Sequence, residues 1–273
     1  MTNHRRAQKV NALLRDNLLL AILLVVTVCT VHAQQEGPAL ALAYREQVTR
    51  RLDVPADEAQ RYGALALEAI DRAGIALSFA QYTAVVDRSS KVQAILVYWL
   101  EPGAAPKLIG ASPVSTGRTG RFDHFETPTG VFDHSVANPD FRAEGTKNEH
   151  GIRGYGAKGM RVFDLGWQQA ERGWGNGGIS TMRLQMHATD PDLLEQRLGS
   201  AQSKGCIRIP ATLNRLFDHF GVLDADYEAA IAQGRSVWVL PDKRVPLVGA
   251  GRYVIVVDTR RIARPYWSPA LGG

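Results

Sequence analysis

Three consecutive runs rich in β-branched and aromatic residues constrain the fold of this chain more than any other feature. They span Tyr82–Asp87, Val92–Leu100 and Lys107–Val114, and short breaks at residues 88–90 and 101–103 separate them. Runs of this composition, bounded by serine, proline and glycine, favour β-strands. The sequence therefore predicts three successive strands that pair antiparallel.

The segments that follow predict a mixture of loops, helices and strands. Residues 115–181 are rich in glycine and are predicted to be mainly loop, as in a lid or a binding loop. Strands and helices then follow without regular alternation, which indicates an α+β fold rather than a doubly wound sheet. The predicted elements are a strand at Thr181–His187, helices at Asp190–Leu198, Ala211–Phe220 and Ala225–Gln233, and strands at Ser236–Leu240 and Arg252–Asp258.

The first 33 residues are typical of an export signal. A basic start precedes an uncharged apolar run of 14 residues, Leu18–Val31, and Val31-His32-Ala33 provides a cleavage site. The run is shorter than the roughly 20 residues that span a bilayer core. We therefore expect a cleaved signal peptide and a location in the periplasm or cell envelope. An uncleaved signal anchor, which would tether the protein to the membrane, is the alternative.

Residues 34–78 are predicted to form two helices. The first covers Ala39–Arg50, and the second runs to about Arg72, with Asp53 as its cap and Pro55 near its first turn. Its apolar positions are expected to dock on a larger body. The predicted organisation is a signal peptide at 1–33, a helical segment at 34–78, a catalytic domain at 79–241, and a C-terminal strand and tail at 242–273.

Charge and motif content exclude several classes of function. The net charge is +5, but residues 1–33 hold four bases and one acid, which leaves 28 Lys and Arg against 26 Asp and Glu. This balance is too mild for a nucleic-acid-binding surface. Residues 154–159 match G-x-G-x-x-G, but no strand precedes them and no helix follows, so no nucleotide is expected. No histidine spacing indicates a metal site, and no cofactor is predicted.

One cysteine, Cys206, carries the chemical prediction. Cleavage of the signal would remove Cys29, the other cysteine, and leave Cys206 unable to form an internal disulfide. The number of cysteines alone does not decide whether Cys206 is a reactive thiol or a small buried hydrophobic residue. Lys204 and Arg208 bring positive charge near the thiol, which favours a thiolate. Gly205 would let the amides of Gly205 and Cys206 turn toward a developing oxyanion.

The base that would serve this thiol is predicted to be His187. It ends a predicted strand, and a turn and a short helix would bring the chain back beside it at Cys206. His219 falls in a predicted helix, and His124, His134 and His150 lie in predicted loops. We therefore expect Cys206 and His187 to form a nucleophile–base pair.

Three ordered motifs resemble the L,D-transpeptidase catalytic-domain family (YkuD-type). They are Ser115-Thr116-Gly117 with the later 127–132 segment Thr-Pro-Thr-Gly-Val-Phe, then His187, then the 203–208 box around Cys206. The likeness covers about residues 80–241. Two positions depart from the family pattern: Ala188 stands where glycine usually follows the histidine, and Lys204 stands where histidine usually precedes Gly205.

The resemblance implies a mainly-β catalytic domain of mixed sheets, sandwich-like or barrel-like, with a few helices. It also implies that Cys206 attacks peptidoglycan stem peptides to form a thioester, with His187 as general base and acid. A Gly205 amide would hold the oxyanion and the Ala188 carbonyl would orient the imidazole. Ser203, Lys204 and Arg208 are the implied substrate-binding residues, with Arg208 facing a carboxylate of the stem peptide.

Three functions remain open at this point. Transfer of the acyl group to an amine would cross-link or remodel the cell wall and so affect cell shape. Transfer to water on the same fold would make the enzyme an L,D-carboxypeptidase or another hydrolase. A non-catalytic wall-binding module is the third reading, for which the Lys204 departure is the main support. Trp167 and Trp174 are expected in the glycine-rich stretch either as loop anchors or as part of a lid.

Overall fold

The structure, a computed structural model, describes residues 39–270. The predicted signal peptide at 1–33 lies outside the described residues. The α+β prediction is confirmed, because nine strands in two sheets and four helices make up the described part of the chain. Within residues 39–270 no helix combines the length and the apolar character that a membrane crossing requires.

The first sheet contains the three strands that the sequence predicts. Its strands are β1 (Gln81–Asp87), β2 (Ala94–Leu100), β3 (Lys107–Pro113), β4 (Gly130–Asp133) and β9 (Tyr253–Val257), in the order β3-β2-β1-β9-β4. The β1–β2 and β2–β3 pairs are antiparallel as expected, whereas β9 runs parallel to β1. Because β9 lies between β1 and β4, the C-terminal strand is an interior part of this sheet.

The second sheet lies mostly within the segment that was predicted to be loop. It contains β5 (Phe141–Arg142), β6 (Arg161–Glu171), β7 (Ile179–Ala188) and β8 (Ile207–Ile209), in that order. The loop prediction for residues 115–181 is therefore wrong for β6, which has 11 residues. A register shift between Asp164 and Trp167, with Gly166 at a φ of +79°, interrupts the alternation by which a strand is recognised.

A continuous apolar core fills the space between the two sheets. Val86 and Ile95 of the first sheet belong to the same buried cluster as Phe163, Leu184 and Met186 of the second. Successive side chains of a strand point to opposite faces. The neighbours of these core residues on β6 and β7 therefore project away from the core, and they form the floor of the site described below.

Two of the three predicted central helices are confirmed. They are α3 (Ala211–Phe220) and α4 (Ala225–Ala232). The helix predicted at Asp190–Leu198 is wrong: turns and a single 3₁₀ turn, Glu195–Arg197, occupy it. The chain is extended at Leu198, and the N–H of Gly199 donates to the Val114 carbonyl at 2.7 Å. So short a helix is marginal in water, and this tertiary bond ends it.

The strand predicted at Ser236–Leu240 is also wrong. These residues form irregular turns, in which Ser236 and Trp238 are exposed and Val239 is buried. The apolar run at 237–240 has the composition of a strand, but a strand also needs a neighbour to satisfy its backbone groups. Here the carbonyl of Val239 instead accepts a hydrogen bond from Nε of Arg142 at 2.8 Å.

The predicted N-terminal helices brace the first sheet. Residues 39–47 form α1, whose Leu40 and Tyr44 enter the main core. Helix α2 (Ala56–Arg72) begins after Pro55, and the predicted cap Asp53 lies outside it. Ile70 of α2 and Trp267 of the C-terminal tail belong to a second buried cluster on the other face of the first sheet.

Candidate active site

Cys206 lies at the end of a tight loop that leads into β8. Ser203 Oγ donates to the Cys206 carbonyl at 2.6 Å and accepts the Gly205 N–H at 3.0 Å, which closes the loop. Gly205 has a φ of +131°, and a Cβ there would lie 2.8 Å from Met182. Only glycine fits this position without strain, because L side chains rarely adopt this backbone conformation.

The other two family-like motifs converge on the same loop. Thr127 Oγ1 accepts the Gly117 N–H at 2.8 Å and donates to the Gly205 carbonyl at 2.7 Å. The amide of Thr116 is bound by the side chain of Gln93 at 2.8 Å, and Ser115 pairs with Arg208 as a β-bridge. Residues far apart in the sequence therefore hold the backbone that presents the thiol.

The parallel pairing of β7 with β8 brings His187 to the cysteine. His187 is directly opposite Arg208 in this ladder, and Cys206 precedes Arg208 by two residues. Paired residues share a face of the sheet, so His187 and Arg208 lie on one face, and the charge of Arg208 acts on both His187 and the Cys206 thiol. This is the neighbourhood that the sequence predicted, although a turn and a 3₁₀ helix, and not an α-helix, connect the two strands.

Hydrogen bonding assigns the tautomer of His187. Its Nδ1 lies 2.7 Å from the carbonyl oxygen of Ala188. A carbonyl only accepts, so Nδ1 carries the proton and Nε2 is left as the basic atom. The predicted role of the Ala188 carbonyl in orienting the ring agrees with this contact. Alanine in place of glycine does not disturb it, since the contact is made by the backbone.

Burial controls the protonation of the pair. It raises the pKa of the Cys206 thiol, although the Gln185 amide and the Arg208 guanidinium act in the opposite direction. Burial, together with the repulsion of Arg208, lowers the pKa of His187 to about 4. At neutral pH the resting site therefore holds a thiol and a neutral imidazole, not a thiolate–imidazolium pair. The thiol itself lies 3.8 Å from the Arg183 carbonyl.

Lys204 does not take part in the electrostatics of the thiol. The sequence suggested that its charge favours the thiolate, and the structure differs on this point. Its Nζ forms an ion pair with Asp123 at 2.7 Å, and both side chains are more than half exposed. Solvent screens charges in such a position. Of the two cations beside Cys206 in the sequence, only Arg208 acts on the thiol.

Three other predicted site residues have clear positions. The Gly205 N–H is bound to Ser203, whereas the Cys206 N–H, like that of Lys204, has no acceptor among the described residues. Ser203 is 1% exposed and makes its bonds within the loop, so its hydroxyl supports the loop and does not face a substrate. Arg208 is half-buried, and no carboxylate of the described residues pairs with it.

Sequence reasoning missed the residues that cover and flank the pair. The ring of Tyr155 packs edge-on against His187, with centroids 4.7 Å apart, and its hydroxyl lies 3.2 Å from Gln185 Oε1. Asp164 accepts hydrogen bonds from Arg183 at 2.7 Å and from Gln185 at 3.0 Å. Tyr155 belongs to the glycine motif at 154–159, and no local signal distinguishes it from a loop residue.

The aromatic residues of the glycine-rich stretch differ from one another. Trp174 packs edge-on against Phe125 with centroids 4.9 Å apart, so it anchors its loop. Trp167 is 64% exposed on β6, and the guanidinium of Arg183 lies 5.6 Å from its ring centre. Among residues 39–270, no group of three or more His, Cys, Asp or Glu side chains is arranged to hold a metal ion.

Comparisons with known proteins agree with the motifs. A family model described as YkuD, L,D-transpeptidase catalytic domain, matches residues 81–239, which leaves β9 outside the matched region. No curated protein matches the chain.

Two similar solved structures are those of the helical cell shape determining protein Pgp2 from Campylobacter jejuni and of a mutant of it. Both are 16% identical and cover 68% of this chain, with TM-scores of 0.34 and 0.33. The matches cover 50% and 49% of those chains, so this chain spans about half their length.

Proposed function

The chain belongs to the YkuD family of L,D-transpeptidase catalytic domains, and from this premise we propose that it is an exported cysteine acyltransferase acting on peptidoglycan stem peptides. Cys206 is the nucleophile of this proposal and His187 its general base and acid. The observation that supports it is the β7–β8 pairing, which sets His187 opposite Arg208, two residues after Cys206, with the Nδ1 proton of His187 on the Ala188 carbonyl.

Acylation begins with a neutral thiol. As sulfur approaches the carbonyl carbon of the L-to-D peptide bond, Nε2 of His187 accepts the thiol proton. A base with a pKa of about 4 takes this proton only as the sulfur–carbon bond forms. The negative charge that develops on the carbonyl oxygen is stabilised by the Cys206 N–H, a donor worth several kcal/mol in comparable sites.

Collapse of this intermediate breaks the carbon–nitrogen bond. His187 returns its proton to the leaving nitrogen, so D-alanine departs with an uncharged amino group and a thioester remains on Cys206. An acceptor amine then loses a proton to His187 and attacks the thioester, and the departing sulfur regains the proton. Tyr155 packs over the imidazole and limits the access of water to it.

Intact-mass spectrometry of the full chain with tetrapeptide muropeptides tests the proposal. We expect an adduct with the mass of the stem minus D-alanine in the wild type and in the matched control Cys29→Ala. The adduct should be absent from Cys206→Ala and strongly reduced in His187→Asn. A folded wild-type protein that forms neither adduct nor D-alanine would contradict acyl-enzyme chemistry and favour the wall-binding alternative.

The products of the same reaction separate transfer from hydrolysis. A new cross-linked species in the presence of an acceptor stem supports the transferase, which is the function we propose. A shortened stem without any cross-linked species would instead identify an L,D-carboxypeptidase.

Location needs its own test, because the signal prediction at residues 1–33 is independent of the chemistry. Fractionation of cells that express the full chain should recover a shortened protein outside the cytoplasm. A full-length protein in the membrane fraction would indicate the anchored form.

A further inference from the structure

A cavity of about 290 Å³ opens beside Arg208. Arg121, Arg197 and Arg208 line it together with Ser115 and Gln202, and its wall contains no Asp or Glu. The arginines come from three separate segments: the loop before β4, the 3₁₀ turn before Cys206, and β8 itself. A cavity whose ionisable wall residues all have the same sign is suited to a ligand of the opposite sign.

None of these three guanidinium groups has a protein partner among the described residues. Arg161 provides the contrast. It is fully buried, but it forms ion pairs with Asp140 at 2.6 Å and with Asp224 at 2.8 Å. Arg208 lacks such carboxylates, and burial lowers its pKa. A half-buried cation without a partner is costly, and a bound anion would offset that cost.

The cavity continues the proposed active site. Arg208 lies in β8 two residues after Cys206, and its charge acts on the thiol. Gly154, another lining residue, precedes Tyr155, whose ring covers His187. A ligand segment in the cavity would therefore lie next to the bond that the thiol attacks.

We propose that this cavity binds a segment of the peptide substrate that carries two carboxylates, through Arg121, Arg197 and Arg208. This proposal rests on the function proposed above, and it names the charge that the substrate must present on the β8 side of the thiol. Three guanidinium groups can pair with two carboxylates, because planar guanidinium forks match carboxylate geometry. Arg121 and Arg197 are exposed, so they would pair with the outer carboxylate, and Arg208 would pair with the inner one.

An NMR titration of the full chain tests this inference without requiring catalysis. The probe is glutarate, a small dicarboxylate, and the matched neutral probe is glutaramide. We expect glutarate to shift the backbone signals of Ser115, Gln202 and Arg208, and glutaramide to leave them unchanged. The double variant Arg121→Gln with Arg197→Gln should bind glutarate at least tenfold more weakly. Arg215→Gln, which removes an exposed arginine on α3, should bind it as the wild type does.

Each other outcome overturns the proposal. Equal shifts with both probes, equal affinity in the double variant, or no shift with glutarate would show that the arginines do not form a carboxylate site. Inorganic phosphate that binds more tightly than glutarate would identify a phosphate site instead. Cys206→Ala should retain glutarate binding, so a failure of acyl transfer and a failure of this site are distinguishable.

Discussion

Replacing His187 with asparagine should change how the stability of the fold depends on pH. His187 is 4% exposed, and its pKa falls from 6.5 to about 4 because of burial and the repulsion of Arg208. Protons therefore bind the unfolded chain more readily than the folded one at this residue. The free energy of unfolding is therefore not reduced by His187 above pH 6.5. It decreases as the pH falls toward 4, because the unfolded chain binds a proton at this residue and the folded chain does not.

The size of the effect follows from these two values. Linkage between protonation and unfolding predicts a loss of about 2 kcal/mol from this one group between pH 7 and pH 5. Other groups titrate in the same range. Burial alone would lower the pKa of His134, but Asp140 raises it on balance, so its contribution has the opposite sign. Such contributions are common to the wild type and the variant and cancel in the difference between them.

Urea unfolding of the wild type and of His187→Asn at pH 7 and pH 5 measures that difference. Asparagine is the matched substitution, because its amide nitrogen overlays Nδ1 and can still donate to the Ala188 carbonyl. We expect the stability of the wild type relative to the variant to fall by about 2 kcal/mol at the lower pH. A difference that does not change with pH would refute the assignment of His187 as a buried neutral base.

Three further perturbations have defined outcomes. Tyr155→Ala should expose the imidazole of His187 and raise its pKa by roughly one unit, which an NMR titration of the ring would detect; an unchanged pKa would contradict the covering role. Gly117→Ala would bring a Cβ within 2.0 Å of a backbone carbonyl oxygen, so urea unfolding should show a loss of about 3 kcal/mol or more, whereas Gly154→Ala has open space and should be nearly neutral. Lys204→Ala should leave the pKa of the nucleophilic thiol unchanged in an iodoacetamide rate profile, and an upward shift would restore a role for that lysine.

Local pattern predicted the elements that carry their own signal. The runs that became β1 to β3 are rich in β-branched and aromatic residues, and α3 and α4 have clear ends at glycine or glutamine. The sequence also predicted Cys206 and His187 as a pair, from a cysteine in a basic loop and a histidine at the end of a strand pattern. These features depend on residues close together in the chain.

The fold decided what depends on distant neighbours. The alternation of β6 is broken by its bulge at Gly166, and its pairing with β5 and β7 makes it a strand. The segment from Asp190 could have continued as a helix, but a hydrogen bond from Gly199 to Val114 ends it.

Electrostatics at the site also required the tertiary structure. Lys204 and Arg208 are both close to the thiol in the sequence. In the fold, Lys204 is exposed and forms an ion pair with Asp123, whereas Arg208 is half-buried. By itself the sequence predicted Cys206 and His187 as a pair and the strand that ends at His187, but not β8. Burial, which depends on the whole chain, decided that both groups are neutral at rest and that three distant arginines share one cavity.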